Sequence, residues 1–282
     1  MDVVEVEAFE PMLLPTTPVI LSWGRADTNT LLRNCDQVST TGISAVGVGS
    51  SRTILQIASN VYHTAAVTST GEVYTCGAND DGHIHPSSSL SLSATDVKPK
   101  MVEELGNHRI CMVSCGLYHS VCLTASGLAV SFGGNEAGQC GHSAATHSRV
   151  LPKVVDFHVK DRNAVVVKQV ACGDMFTLFL ATSGEVYSCG IGAYTGISGQ
   201  KDSNCAHAGR VDALLASNVV SVAAGGVHAL AVTASGEVYA WGSGRHGQLG
   251  LGDDVVAQEE AHVQSPARVA LPAGIGKVRV TG

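Results

Sequence analysis

The chain has 282 residues, of which 45% are hydrophobic and only 15% are charged, and its formal net charge is −7. This apolar fraction predicts a folded core, and the small charged fraction excludes an intrinsically disordered chain. The sequence contains no run of Lys or Arg, so we expect no direct binding to nucleic acid. The first ten residues carry four acids and no base, and no apolar stretch reaches the roughly 18 residues of a membrane-spanning helix. We therefore expect neither a targeting peptide there nor a membrane span.

The N-terminal part divides at residue 18. Residues 1–18 are interpreted as an N-terminal extension, and residues 19–282 as one repeat domain. The segment VILSWGR, residues 19–25, is typical of the return strand of a β-hairpin whose first strand is missing.

Four segments of the chain align with one another without gaps. They are residues 57–77, 113–133, 170–190 and 222–242. Their turn glycines, which are 56, 57 and 52 residues apart, are Gly71, Gly127, Gly184 and Gly236. A repeat of this period predicts a solenoid, a propeller or another repeat architecture.

Each repeat is predicted to contain four short strands. In the second block, Val121 and Leu123 alternate with Cys122 and Thr124, which is the period of a strand. The sequence T-A-S-G then predicts a turn before a return strand at residues 128–132. A third strand precedes Gly116, and the fourth strands are expected at residues 99–102, 152–155, 210–211 and 266–269. Four strands per repeat indicate an all-β chain, a β-propeller of four-stranded antiparallel blades, with about four complete blades and a partial blade at each end.

The nine cysteines include no C-x-x-C pair, so no zinc site is predicted. Five of them occupy apolar positions of the repeat, namely Cys76, Cys115, Cys122, Cys172 and Cys189. We interpret them as buried free thiols, which favours a reducing, intracellular compartment.

A histidine recurs at one position of the repeat, as His63, His119 and His228, and Phe176 replaces it in the third copy. A phenylalanine keeps the bulk of the ring and loses its chemistry, so a structural role is favoured over a catalytic or metal-binding one. We expect a buried ring nitrogen that bonds the backbone of the next strand. No catalytic residue, metal or cofactor is predicted.

Two other kinds of segment are predicted to be loops. Four of the histidines outside the repeat position are interpreted as surface-loop residues, namely His83, His85, His142 and His147. The glycine-rich segment at residues 190–199 lacks the strand-to-helix context of a phosphate-binding loop and is interpreted as a connection between blades.

The pattern G-x-x-H-(x)7-G-E-V-Y-x-W-G followed by G-Q-L-G resembles the repeats of the regulator of chromosome condensation family. It is fullest at residues 225–252, and the second copy retains FGGNEAGQCG at residues 132–141. The resemblance implies a propeller, which has seven blades in the best-known member. This chain is shorter, and two interpretations remain open: a piece of a longer propeller, which we favour, or a ring of about five blades in which the two ends share one blade. The segment KVRVTG at residues 277–282 is typical of the strand that leads into another G-x-x-H.

The resemblance also indicates a binding face. In the exchange factor of this family, the loop between the glycine and the histidine lies on the face that engages the small GTPase Ran, and acidic residues matter there. The candidate partner-binding residues in these loops are Tyr62, Leu117, Tyr118, Asp174, Met175 and Val227. Since Asp174 is the one acid among them, the loops favour a non-enzymatic protein-interaction scaffold. The alternative is a guanine nucleotide exchange factor for a Ran-like small GTPase. The basic N-terminal arm with which the family contacts chromatin is not present in this sequence, which favours the cytoplasm over the nucleus.

Overall fold

The computed structural model describes residues 20–22, 44–46, 53–79, 82, 84, 95–142, 149–158, 164–252 and 261–272. Within these residues the chain forms four antiparallel sheets of four strands each, in which strands adjacent in sequence are adjacent in space. Each sheet contains one of the four aligned blocks. The predicted β-propeller is therefore confirmed.

The strands fall into one two-stranded pair and four blades. The pair consists of β1 (Ile20–Ser22) and β2 (Ser44–Val46). Blade 1 consists of β3 (Ile54–Ser59), β4 (His63–Thr68), β5 (Val73–Ala78) and β6 (Thr95–Met101). Blade 2 consists of β7 (Ile110–Cys115), β8 (His119–Thr124), β9 (Ala129–Gly134) and β10 (Arg149–Val154). Blade 3 consists of β11 (Val167–Cys172), β12 (Phe176–Ala181), β13 (Val186–Ile191) and β14 (Asn204–Arg210). Blade 4 consists of β15 (Val219–Ala224), β16 (His228–Thr233), β17 (Val238–Ser243) and β18 (His262–Arg268).

The helical content of the described residues is small. Two 3₁₀ turns, Glu103–Leu105 and Asp212–Leu214, follow the last strands of blades 1 and 3, and one α-helical turn, α1, spans Gly192–Thr195. Within the described part of the chain, no helix is long and apolar enough to cross a membrane.

The second and third strands of every blade are joined by the same tight turn. The four turn glycines adopt φ values between 85° and 88°, a region in which a side chain would be strained. In blade 2 the Thr124 hydroxyl accepts a hydrogen bond from the N–H of Leu128 at 2.9 Å, which closes the turn. We call the end of the propeller that carries these turns the turn face.

The core lies in the joints between neighbouring blades rather than inside any one blade. One cluster of buried apolar side chains fills the joint between blades 1 and 2, another the joint between blades 2 and 3, and a third the joint between blades 3 and 4. A blade cannot bury both of its faces by itself, so stacking is the source of its stability.

Two joints also contain a glutamine that grips the backbone of the next blade. The side-chain amide of Gln56 donates to the carbonyl of Val113 at 3.1 Å and accepts from its N–H at 2.9 Å. Gln169 does the same with Val222, at 2.8 and 3.1 Å. We call these paired bonds amide clamps. Met112 holds the corresponding position in blade 2.

The cysteines lie where the repeat placed them. All five that were assigned to core positions are buried with free thiols. Cys115 and Cys172 donate their S–H groups to carbonyls of the preceding blade, those of Ala58 at 3.5 Å and Ser114 at 3.6 Å. Burial raises the pKa of the Cys172 thiol to about 12, so this group stays protonated and packs as a small apolar residue.

Two loop interpretations are wrong. The segment at residues 190–199 does not connect blades, because it contains α1 and lies between β13 and β14 of blade 3. His142 is 3% exposed, and its Nε2 lies 2.9 Å from the hydroxyl of Ser131. It is buried because the G-Q-C-G segment folds back under blade 2, where the Ser131 hydroxyl also donates to the carbonyl of Cys140 at 2.6 Å.

Several predicted features fall outside the described residues. They are the extension at residues 1–18, the strand at residues 277–282, and His83, His85 and His147.

Candidate interaction face

The loops that carry the candidate residues are four-residue turns, each joining the first and second strands of a blade. In blade 2 the N–H of Gly116 donates to the carbonyl of His119 at 2.8 Å, and in blade 3 the N–H of Gly173 donates to the carbonyl of Phe176 at 2.9 Å. Blades 1 and 4 close their loops in the same way, through Asn60 and Gly225. The two central residues of each loop therefore stand at the end of the blade. We call them rim pairs, namely 61–62, 117–118, 174–175 and 226–227, and the end of the propeller that carries them the loop face.

In blades 2, 3 and 4 the first residue of the loop is glycine because the ring three residues later packs onto it, whereas blade 1 has Asn60 at this position. A Cβ on Gly116 would lie 2.0 Å from Cε1 of His119, and a Cβ on Gly173 would lie 1.9 Å from Cε1 of Phe176. Neither space admits a side chain while the ring stays in place. The spacing G-x-x-H thus follows from packing.

The ring at the repeat position enters the joint with the next blade. His63 Nε2 lies 2.9 Å from the hydroxyl of Ser120, and His119 Nε2 lies 2.8 Å from the hydroxyl of Thr177. The rings of His63 and His119 each meet a side-chain hydroxyl of the neighbouring blade, whereas the sequence predicted a backbone partner. His228 of blade 4 is only partly buried, and desolvation lowers the pKa of its imidazole.

Phe176 makes the corresponding joint apolar. The ring is fully buried and shares a hydrophobic cluster with Ala229, the residue that stands where Ser120 and Thr177 stand in their blades. A ring without a nitrogen thus meets a residue without a hydroxyl, which leaves no buried polar atom unpaired.

Neighbouring loops are linked to each other through their backbones. The N–H of Leu117 donates to the carbonyl of Asp174 at 3.0 Å, and the N–H of Asp174 donates to the carbonyl of Gly226 at 2.8 Å. The Asp174 carboxylate lies against Gly226, where an added Cβ would be 2.7 Å from Oδ2. The rim pairs of blades 2, 3 and 4 therefore form a hydrogen-bonded series with a defined spacing.

An aromatic pair bridges the rim between blades 1 and 2. The rings of Tyr62 and Tyr118 are stacked, with centroids 5.6 Å apart and planes inclined at 23°. Both side chains are partly exposed, and the neighbouring Val61 is 58% exposed. We call these three residues the aromatic patch. It presents apolar surface and two phenol hydroxyls from a fixed backbone.

Four of the six candidates thus separate into two groups, and Leu117 and Asp174 lie in the hydrogen-bonded series between the loops. Tyr62 and Tyr118 come together as the aromatic patch, whereas Met175 and Val227 lie toward the other side of the same face. The carbonyls of Met175 and Val227 accept hydrogen bonds from Ile191 at 3.0 Å and Ser243 at 2.8 Å, which fixes their loops to the third strand. The candidate set omitted Val61, whose exposure follows from its place at the tip of a loop.

The described residues contain no group of three or more His, Cys, Asp or Glu side chains that could hold a metal ion. The recurring histidines belong to blades 1, 2 and 4, and those of blades 1 and 2 enter different joints, so the three do not converge on a shared site.

These features define a β-propeller whose blades carry a G-x-x-H loop and a tight glycine turn. The chain belongs to the RCC1-like domain family, whose model matches residues 12–281.

Known proteins of similar sequence are mostly larger than this chain. It is 34% identical over 251 residues to the E3 ubiquitin-protein ligase HERC2 of Homo sapiens. The aligned region covers 87% of this chain and 5% of that protein. It is 32% identical to the ultraviolet-B receptor UVR8 of Arabidopsis thaliana, over 72% of the chain and 44% of the receptor. The chain therefore spans less than half the length of these two relatives.

Solved structures share the architecture. Yeast RCC1 (Prp20), in its crystal structure with bound Kap60, matches with a TM-score of 0.73 and 25% identity, over 91% of this chain and 58% of that one. Human WBSCR16 matches with a TM-score of 0.72 and 26% identity, over 93% of this chain and 69% of its own.

Proposed function

We propose that this chain is a non-enzymatic scaffold that binds a protein partner through its loop face, with the aromatic patch as a principal contact. The observation that carries the proposal is the stacked pair of Tyr62 and Tyr118, partly exposed beside Val61. Tyrosine is enriched among the residues that dominate binding energy at protein interfaces, since one rigid side chain supplies both apolar area and a hydroxyl.

The backbone beneath the patch favours binding with little rearrangement. The carbonyl of Tyr62 accepts from the N–H of Ala78 at 2.8 Å, and that of Tyr118 accepts from the N–H of Gly134 at 2.7 Å. Because both loops are held to their own third strands, ordering them on binding costs little conformational entropy.

The relatives support a binding role for the propeller rather than one shared chemistry. Their names describe a ubiquitin ligase, an ultraviolet-B receptor and a GTPase regulator homologue. The region shared with this chain is a small part of the ligase, 5% of its length. A common domain among proteins of such different activity is consistent with a common interaction module.

The test is quantitative affinity capture from source cells with the full chain as bait. We expect the double variant Tyr62→Ala, Tyr118→Ala to lose at least about tenfold of the recovered partner, since tyrosine is enriched among the interface residues whose truncation costs about 2 kcal/mol or more. The matched control is Leu128→Ala on the turn face, where Leu128 is 39% exposed. Equal recovery with the double variant and the wild type would remove the aromatic patch from the proposal.

The alternative is exchange activity on a Ran-like GTPase, for which Asp174 is the supporting residue. Its backbone N–H and carbonyl are both used between blades, and its carboxylate lies against Gly226. One acid in this setting is weak support for a surface that displaces a nucleotide. Release of a fluorescent guanine nucleotide from a Ran-family GTPase tests the alternative: acceleration by the wild type and its loss in Asp174→Ala would favour exchange over scaffolding.

We further propose an intracellular location, in the cytoplasm rather than the nucleus. The support is the eight free cysteines among the described residues, six of them buried, as expected in a reducing compartment. Microscopy of a fluorescent fusion of the native full-length protein tests it, and an extracellular or nuclear signal would contradict it.

A further inference from the structure

A cavity of about 470 Å³ opens beside the rim pair of blade 4, away from the aromatic patch. One wall comes from the segment between β13 and β14, through Tyr194 and Lys201, and the other from the segment after β17, through Arg245, His246 and Gln248. His262, the first residue of β18, also lines the cavity. Val227 of the rim pair is a further lining residue, so the cavity is continuous with the loop face.

The first wall belongs to blade 3 but is fastened to blade 4. The indole N–H of Trp241 donates to the carbonyl of Tyr194 at 3.0 Å, and His262 Nε2 lies 2.7 Å from the carbonyl of Ala193. With its amide oxygen turned toward the donors, Gln264 accepts from the backbone N–H groups of Gln200 at 3.1 Å and Lys201 at 2.8 Å. These bonds fix the position of the backbone from which the Lys201 side chain extends.

The second wall is a pair of tight turns. The N–H of Gly247 donates to the carbonyl of Gly244 at 2.9 Å, and the N–H of Gly250 donates to the carbonyl of Gly247 at 3.0 Å. The N–H of Gly244 also donates to the carbonyl of Ala261 at 2.6 Å, which holds the start of this segment to the residue before β18. The side chain of Gln248 accepts from the N–H of His246 at 2.8 Å, a bond that blade 2 repeats between Gln139 and Ala137. The cavity is therefore formed by structured backbone on both sides.

The charge of the lining is one-sided. Lys201 and Arg245 are cationic, and His246 and His262 add two imidazoles. Among the described residues, no Asp or Glu lines the cavity. This concentration of positive charge occurs in a protein whose net charge is −7, so it is a local departure from the overall balance. Guanidinium and ammonium groups bind carboxylates or phosphates through charge-assisted hydrogen bonds.

We propose that this cavity binds an acidic segment of the protein partner, with Lys201 and Arg245 as the charged contacts. The inference depends on the proposed scaffold function and identifies the chemistry of part of the partner. Continuity with the rim pair through Val227 favours a peptide segment, because a partner on the loop face passes over the opening. The two cations, Lys201 and Arg245, select against basic segments by charge repulsion.

The probe is a fluorescein-labelled peptide of six glutamates flanked by glycines, titrated into the full chain at low ionic strength and read by fluorescence anisotropy. We expect saturable binding, and a loss of at least about tenfold in affinity for the double variant Lys201→Gln, Arg245→Gln. The same peptide with glutamines in place of glutamates should not bind. Binding should also weaken as salt is added, because the contacts are partly exposed.

A phosphoserine version of the peptide tells the two anion sources apart. Tighter binding than that of the glutamate peptide assigns the site to phosphorylated segments, and weaker binding assigns it to carboxylates.

The matched control is the double variant Arg109→Gln, Lys168→Gln, which removes the same charges from exposed residues outside the cavity. Arg109 lies on the turn face, where its side chain packs at Gly71. Equal loss in the two double variants, or no saturable binding to the wild type, would overturn the inference.

The tyrosine double variant separates this inference from the proposed function. It should lose partner capture and still bind the glutamate peptide, because the aromatic patch lies at the other side of the loop face. If the wild type captures its partner in a tyrosine-dependent way yet ignores the acidic peptides, the cavity assignment fails and the scaffold stands. If the peptides bind but capture ignores the tyrosines, the aromatic patch fails and the cavity stands.

Discussion

The joint between blades 2 and 3 is polar at the position where the joint between blades 3 and 4 is apolar. In the former, His119 Nε2 meets the hydroxyl of Thr177 at 2.8 Å, and in the latter Phe176 is buried in the cluster that includes Ala229. The joint between blades 1 and 2 is of the polar kind, through His63 and Ser120. The property that recurs is therefore a match between two residues across each joint, and not the identity of one residue within a blade. The ring of one blade matches the residue that follows the ring position in the next.

The most destabilising of these substitutions should be one that introduces a polar ring into the apolar joint between blades 3 and 4. Phe176→His would place a ring nitrogen against Ala229 in a fully buried space, at a cost of about 2–3 kcal/mol in the free energy of unfolding. Adding Ala229→Ser should recover about 1 kcal/mol, because the hydroxyl supplies the missing partner. Urea unfolding of the two single variants and the double variant measures the coupling. If the two free-energy changes were strictly additive, the proposed coupling between residues 176 and 229 would be contradicted.

The reverse change should cost less. His119→Phe removes the hydrogen bond to Thr177, but the Thr177 hydroxyl still donates to the carbonyl of Gln139 at 2.7 Å, so this buried hydroxyl keeps a partner. We expect a loss of about 1 kcal/mol in the same urea measurement. A loss larger than that of Phe176→His would mean that the size of the ring, rather than its polar partner, dominates the joint.

The smallest expected effect concerns the ring of blade 4. Burial lowers the pKa of His228 below its usual 6.5, so the unfolded chain takes up this proton first as the pH falls. The contribution of His228 to the free energy of unfolding therefore becomes unfavourable as the pH falls below about 6.5. His228→Phe should lose less stability than the wild type between pH 7.5 and pH 5.5, measured by the urea midpoint. Identical shifts in the two proteins would show that this imidazole does not contribute.

Much of the fold could be predicted because the blades are made by local rules. The period, the glycine turns and the alternation of Val121 and Leu123 are each visible within one block. The partners of the rings were missed because they depend on which blade follows which. The signal was present in the aligned blocks, where Ser120, Thr177 and Ala229 occupy one column, but it is seen only when each ring is compared with the next block.

The loop face was less predictable from the sequence. The rim pairs followed from the G-x-x-H spacing, but the stacking of Tyr62 on Tyr118 requires two neighbouring blades in register. The basic cavity could not be predicted, since Lys201 lies in a segment of blade 3 that departs from the repeat. Its wall is positioned by Trp241, a residue of another blade that the repeat pattern treats only as core.

The amide clamps of Gln56 and Gln169 contact only backbone atoms of the blade that follows. Such a contact is indifferent to side-chain identity, so it would survive if one blade were exchanged for another or duplicated in evolution. The ring pair would not, because a duplicated blade 3 would set Phe176 against the hydroxyl of Thr177. A blade that carries the clamp can therefore be attached directly, but it needs a compensating substitution wherever its ring does not match the residue of the next blade. In this propeller the backbone contacts of the clamps accept any neighbouring blade, whereas the side-chain contacts of the rings accept only a matching one.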